Sequence, residues 1–168
     1  MSAFDRAFNK LIGFEGGYVF DSNDPGGETK FGISKRSFPG VDIPHLNLER
    51  AKDIYWVHFW VALRLGNMPE TVASEVFEVA VNSGPRMAVM LLQRALNFLG
   101  AGVSEDGRIG PQTASAVSEL TKKNLPALLV AQNGEQYAYY KRVIQGRIRR
   151  GEPEPWRFAA GWLRRVEL

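Results

Sequence analysis

The residues that most constrain the fold are two glycines, Gly16 and Gly17, set directly behind a stretch whose apolar side chains recur at helical spacing. Phe4, Ala7, Phe8, Leu11 and Ile12 fall at offsets of three, four, seven and eight, which lines one face of a helix with apolar groups. Ser2 is placed to cap the start of that helix. Glycine visits left-handed backbone angles at no steric cost, so the glycine pair predicts the helix end and a bend of the chain. Glu15 is thereby left at a helix terminus, and the run FEGGYVFDSNDPGGETKFGIS carries the chain on toward Asp21 and Asp24.

Carboxyl groups facing each other in this way have the ingredients of glycoside hydrolysis. One acid, protonated, donates to the leaving oxygen; a second, ionised, activates water or stabilises positive charge at the anomeric carbon. Phe14, Tyr18 and Val19 are apolar neighbours that favour the protonated form of Glu15, while Asp24, among glycines and polar residues, stays ionised. The same residues also fit a plainer role, a solvated acid at a helix end followed by the ordinary turn signature DPGG.

The run from Glu15 to Tyr18, then Asp24, Gly26 and Gly27, then Thr29 with Gly32 and Ile33, reads EGGY, an aspartate, a GG pair and TxxGI. It resembles the N-acetylmuramidases of glycoside hydrolase family 108, found as bacteriophage endolysins and as relatives that help bacteria release secreted proteins. The resemblance implies that Glu15 is the catalytic acid and that the substrate is peptidoglycan, cut between N-acetylmuramic acid and N-acetylglucosamine. A second block is similar to the family's C-terminal part, described as a predicted peptidoglycan-binding region: Phe77, Val81 to Gly84 and Gln93, then Asp106, Gly107 and Gly110 to Thr113. One departure is Phe14, where family members often carry a polar residue such as histidine.

Composition bounds the remaining possibilities. A chain of 168 residues, 45% hydrophobic and 23% charged, is sized for one compact domain. The absence of cysteine excludes disulfides and thiolate chemistry, and His45 and His58 are too few for a metal cluster, so neither metal nor cofactor is expected. No apolar run approaches the roughly 20 residues needed to cross a bilayer, and MSAFDRAFNK lacks the apolar core of a secretory signal. The expectation is a chain made in the cytoplasm that acts on the wall, in the periplasm, after release. From Glu135 onward eight arginines or lysines face four glutamates, net +4, which leaves the preceding part at −1. Anionic wall polymer or an anionic membrane surface suits that segment; nucleic acid does not, since no recognition motif accompanies the charge.

Further along, Asn47 is placed to cap a helix through AKDIYWVHFWVAL. Tyr55 and Trp60 are the candidate platforms for sugar rings, although the same spacing of three and four describes buried packing. Pro69 and Glu70 open a helix through Val81, Asn82 to Pro85 interrupts it, and MAVMLLQRALNFL resumes the helical period. Asn82 suits either a hydrogen bond to an N-acetyl group or the cap of the following helix. DGRIGP reads as a turn before a helix opened by Pro111, a long segment follows from Pro126 to about Ile144, and a last helix begins near Pro155. That last helix either closes the core or, as a basic amphipathic segment, enters a membrane interface.

The expected architecture is mainly α with a small β element, a lysozyme-like helical domain with a β-hairpin or loop near residues 17–33 beside the cleft. One domain spans 1–168, with a catalytic region over 1–66 and a helical wall-binding region over 67–168. In the expected mechanism Glu15 is the acid, Asp24 the base or electrostatic stabiliser with Asp21 its alternative, and Thr29 positions water or substrate. Tyr18, Tyr55, Trp60 and Asn82 are the expected substrate contacts, and the chain is expected to act as a monomer on bacterial peptidoglycan. The competing activities are a lytic transglycosylase, which makes an anhydro sugar with one glutamate, and a non-catalytic wall-binding or secretion-assisting protein.

Overall fold

The computed structural model describes residues 1–14, 19–20, 28–152, 159–163 and 166. The chain adopts the expected mainly α fold with a small β element and divides into two compact units, Met1–Pro85 and Arg86–Leu168. The boundary between them falls at a backbone joint. There Gly84, at φ 87° and ψ 150°, follows one helix, and Pro85, which has no N–H to leave unpaired, opens the next.

In the first unit, α1 spans Ala3–Phe14. Ser2 caps it reciprocally: the Asp5 amide donates to Ser2 Oγ at 3.1 Å while the Ser2 amide donates to Asp5 Oδ2 at 2.8 Å. Phe4, Ala7, Phe8 and Leu11 are all buried, so the apolar face is the one the spacing predicted. Three short strands, β1 (Val19–Phe20), β2 (Glu28–Lys30) and β3 (Ile33–Ser34), form an antiparallel sheet in that order, with Val19 opposite Thr29 and Thr29 opposite Ser34. Asn47 Oδ1 accepts the Arg50 amide at 2.8 Å and so caps α2, Leu48–Tyr55. The helix then widens into a π-helical turn, Trp56–Val61, and a 3-10 turn, Leu65–Asn67, leads to α3, Glu70–Ser83. The core of the unit is aromatic: Phe4 meets Trp56, Trp60 and Phe77 edge-on, and Tyr55 meets Phe8 and Phe77.

In the second unit, α4 spans Pro85–Phe98 and buries Leu91, Leu92 and Leu96. α5, Pro111–Arg149, is two helical stretches joined at Asn124, whose backbone is extended at φ −164° and ψ 81°. Asn124 Oδ1 accepts the Ala127 amide at 3.1 Å, capping the second stretch, and Pro126 sits in that stretch's first turn where no backbone donor is needed. α6, Ala159–Leu163, is held by Trp162 stacked on Tyr140 at 5.5 Å between centroids. The start of a last helix near Pro155 lies outside the described residues.

The DGRIGP turn is pinned to α4 by a single buried side chain. Gln93, 1% exposed, donates through Nε2 to Asp106 Oδ1 and the Arg108 carbonyl at 2.9 and 3.0 Å, with Thr113 Oγ1 at 3.2 Å from the same nitrogen, and accepts the Gly107 amide at 2.9 Å. Gly107 is obligatory there, because its φ is +72° and an added Cβ would lie 2.5 Å from Arg86 Cγ. The two units also differ in charge: the first holds eight arginines and lysines against eleven acids, the second thirteen against seven. Among the described residues no helix is long and apolar enough to cross a membrane.

Candidate active site

α1 delivers the chain to the first candidate residue and stops one position short of it: the helix ends at Phe14, and Glu15, Tyr18, Asp21 and Asp24 lie outside the described residues. The described part of the site is the β2–β3 hairpin, the end of α2 and the C-terminal half of α3.

Thr29 is the middle residue of β2 and is half-buried. Because side chains alternate across a strand, Thr29 shares a face with its cross-strand partner Ser34, opposite to that of the Lys30–Ile33 pair. Ile33 is 1% exposed and anchors the hairpin from that other face. The turn between the strands is two residues long, with both Phe31 (φ 52°) and Gly32 (φ 76°) in the left-handed region. Gly32 adopts it freely, whereas Phe31 does so at a cost of about 1–2 kcal/mol. Two contacts hold the turn from outside: Tyr55 Oη donates to the Phe31 carbonyl at 2.9 Å, and Lys30 Nζ donates to the Pro44 carbonyl at 2.8 Å.

The sugar platforms expected at Tyr55 and Trp60 are corrected by this packing. Tyr55 is 1% exposed, its ring held among Phe8, Phe59 and Phe77, and its hydroxyl acts on the hairpin that carries Thr29. Trp60 is 3% exposed, against Phe4 and Phe77. Neither presents a free ring face. Trp56, the first residue of the π-helical turn, is 43% exposed, with its ring edge-on to Phe4.

Asn82 lies inside α3 and donates through Nδ2 to the Glu78 carbonyl at 2.9 Å, one turn back. It therefore joins a polar stripe absent from the sequence-based expectations. Glu75 and Glu78 are 8% and 4% exposed, and Lys10 of α1 reaches both, with its Nζ 3.6 Å and 3.9 Å from their carboxylate oxygens. Buried carboxylates require a nearby cation or donors to offset lost hydration, and Lys10 supplies the charge. The signal for this pair was present: TVASEVFEVAV places two acids three apart within an otherwise apolar helix. At the opposite end of the same helix pair, Arg6 binds Glu70 and holds that carboxylate below its ordinary range. Lys52 and the Ser2 cap do the same for Asp5. α1, the element leading into Glu15, is thus fixed at Asp5, Arg6 and Lys10 by ionic contacts to α2 and α3.

The described geometry is a braced hairpin that carries Thr29 and a helix held by ionic contacts at Asp5, Arg6 and Lys10. Residues 8–84 match the family model described as Glycosyl hydrolase 108, and residues 87–167 match the one described as Predicted Peptidoglycan domain. Among solved structures, that of Brucella abortus SagA matches with a TM-score of 0.77 and 28% identity, over 97% of this chain and 88% of that one. No curated protein matches.

Proposed function

We propose that the chain, in which a glycosyl hydrolase 108 domain is followed by a predicted peptidoglycan domain, is a lysozyme-type N-acetylmuramidase. The bond it cuts is the β-1,4 linkage from N-acetylmuramic acid to N-acetylglucosamine in bacterial peptidoglycan. The observation that carries the proposal is the consecutive match of the two family models along one chain, a glycoside hydrolase followed by a wall-polymer domain.

In this mechanism Glu15 protonates the glycosidic oxygen as the bond to the anomeric carbon lengthens. Asp24 supplies the negative charge that stabilises the oxocarbenium-like centre or takes the proton of the attacking water, and Thr29 orients that water or the sugar from its strand. The bracing of the Thr29 hairpin by Tyr55 and the anchoring of α1 by Lys10 and Arg6 support this assignment, since catalytic groups need rigid platforms. The biological setting is that of an endolysin, with the basic second unit drawn to the anionic wall or to an anionic membrane surface.

Glu15→Gln retains the size of the side chain and removes its transferable proton. The variant is expected to fold as the parent does and to leave the turbidity of purified sacculi unchanged while the parent clears them. Clearing by Glu15→Gln refutes the assignment of the acid. Mass spectrometry of the released muropeptides checks the reaction type: hydrolysis adds one water per cut, and products lighter by that water identify a transglycosylase instead.

A further inference from the structure

The second unit carries two depressions that meet at Leu99. One, of about 610 Å³, is apolar and lies between the end of α4 and the second stretch of α5, lined by Phe98, Pro126, Ala127 and Val130. The other, of about 450 Å³, is polar and lies between the 100–103 loop and the first stretch of α5, lined by Gln112, Ser115, Glu119 and Lys123. Both fall within the roughly 300–1,000 Å³ of ordinary ligand sites. Phe98 is 79% exposed and Val130 63%, an unusual pairing of large apolar side chains side by side on a surface.

We propose that this double depression is where the second unit holds peptidoglycan, with the sugar seated in the apolar half and the stem peptide in the polar half. The assignment takes its polymer from the function proposed above. Three observations carry it. The depressions lie wholly within residues 87–167, the segment matched as a predicted peptidoglycan domain. Their chemistry is divided as a disaccharide–peptide is divided. The C–H face of a pyranose and the methyl groups of N-acetyl and lactyl substituents suit a groove lined by an exposed aromatic ring and aliphatic side chains. A stem peptide bears both ammonium and carboxylate groups, and Glu119 and Lys123, one helical turn apart, present the two opposite charges. Finally, the unit's thirteen basic residues against seven acids attract a polymer whose stem peptides carry free carboxylates.

The test uses the full chain with Glu15→Gln, so that bound glycan stays uncut, and measures its co-sedimentation with purified sacculi. Phe98→Ala in that background is expected to weaken binding by roughly tenfold or more, the loss typical of truncating an aromatic anchor. Phe98 is so exposed that the fold should survive, and an unchanged melting temperature verifies that. Titration of the isotopically labelled chain with a purified disaccharide–tetrapeptide is expected to move the NMR signals of Phe98, Ser115 and Lys123. Chito-oligosaccharide, which has no peptide, is expected to move Phe98 and leave Ser115 and Lys123 in place. Wild-type binding by Phe98→Ala, signals that move only in the first unit, or loss of binding to phosphatidylglycerol vesicles with sacculus binding intact would each overturn the proposal. If Phe98→Ala binds normally while the chain with Glu15 intact releases muropeptides, the groove assignment falls and the hydrolase stands. Phe98-dependent binding by a chain that cuts nothing is the reverse outcome.

Discussion

Tyr55→Phe separates a strut from a sugar platform. The substitution keeps the ring, which is 1% exposed among Phe8, Phe59 and Phe77, and deletes only the hydroxyl that donates to the Phe31 carbonyl at 2.9 Å. Leaving that carbonyl without its donor costs about 1–3 kcal/mol. The loss falls on a residue already held at φ 52°, a conformation that itself costs about 1–2 kcal/mol in a non-glycine residue. For a unit of this size each kcal/mol lowers the melting temperature by about 4–8 °C. Thr29 lies two residues before Phe31 on the same hairpin, so the looser turn should also reduce the clearing of sacculi. A displacement of about 1 Å at a positioned group can cost on the order of a hundredfold. Chemical denaturation and a turbidity assay on the same preparations read both effects. Phe31→Gly relieves the strained backbone, so adding it to Tyr55→Phe should recover part of the stability, and the double-mutant cycle measures the coupling. Unchanged stability and unchanged clearing in Tyr55→Phe would refute the strut and return the ring to the role of a passive filler.

Other perturbations have equally definite outcomes. Gly107→Ala forces a side chain onto φ +72° and against Arg86 Cγ at 2.5 Å, so it should destabilise by more than about 1 kcal/mol, seen as a lower denaturation midpoint. Asn124→Ala removes the cap of the second stretch of α5 and should cost about 1 kcal/mol, with Asn124→Asp nearly neutral by the same measurement. The donors Gln93 and the Arg108 amide hold the Asp106 carboxyl below its ordinary value, so the stability it contributes is present above about pH 4 and is lost as pH falls through the lowered pKa. Asp106→Asn should therefore show a shallower loss of stability in acid than the parent; the acid limb keeps a slope because Asp5, Glu70 and Glu152 are lowered in the same way.

Signals confined to a few neighbouring residues were legible. Ser2 and Asn47 cap the helices they were expected to cap, Gly84 and Pro85 break the chain where the pattern changes, and Pro111 opens a helix after DGRIGP. Each is decided by backbone chemistry within one turn. Tyr55 and Trp60 were ambiguous for a physical reason: periodicity identifies a face without identifying what covers it. The π-helical turn at Trp56–Val61 compounded this, since a wider turn departs from the period of about 3.6 residues on which the spacing argument rests. Glu75 and Glu78 were passed over because acids default to the surface, and what reverses that default is Lys10, more than sixty residues away in sequence. The left-handed Phe31 was equally silent, because its stabilising hydroxyl arrives from another helix.

The interruption at Asn124 governs what the second unit can wrap around. An unbroken helix of 39 residues would be a rod about 58 Å long, far beyond the reach of a unit this small. Turned at Asn124, the same residues flank one leucine from two sides, since Leu99 borders both depressions. A variant that straightens this corner, Asn124→Ala with Pro126→Ala, would keep every lining side chain but Pro126 and Asn124 and still pull the two halves of the cradle apart.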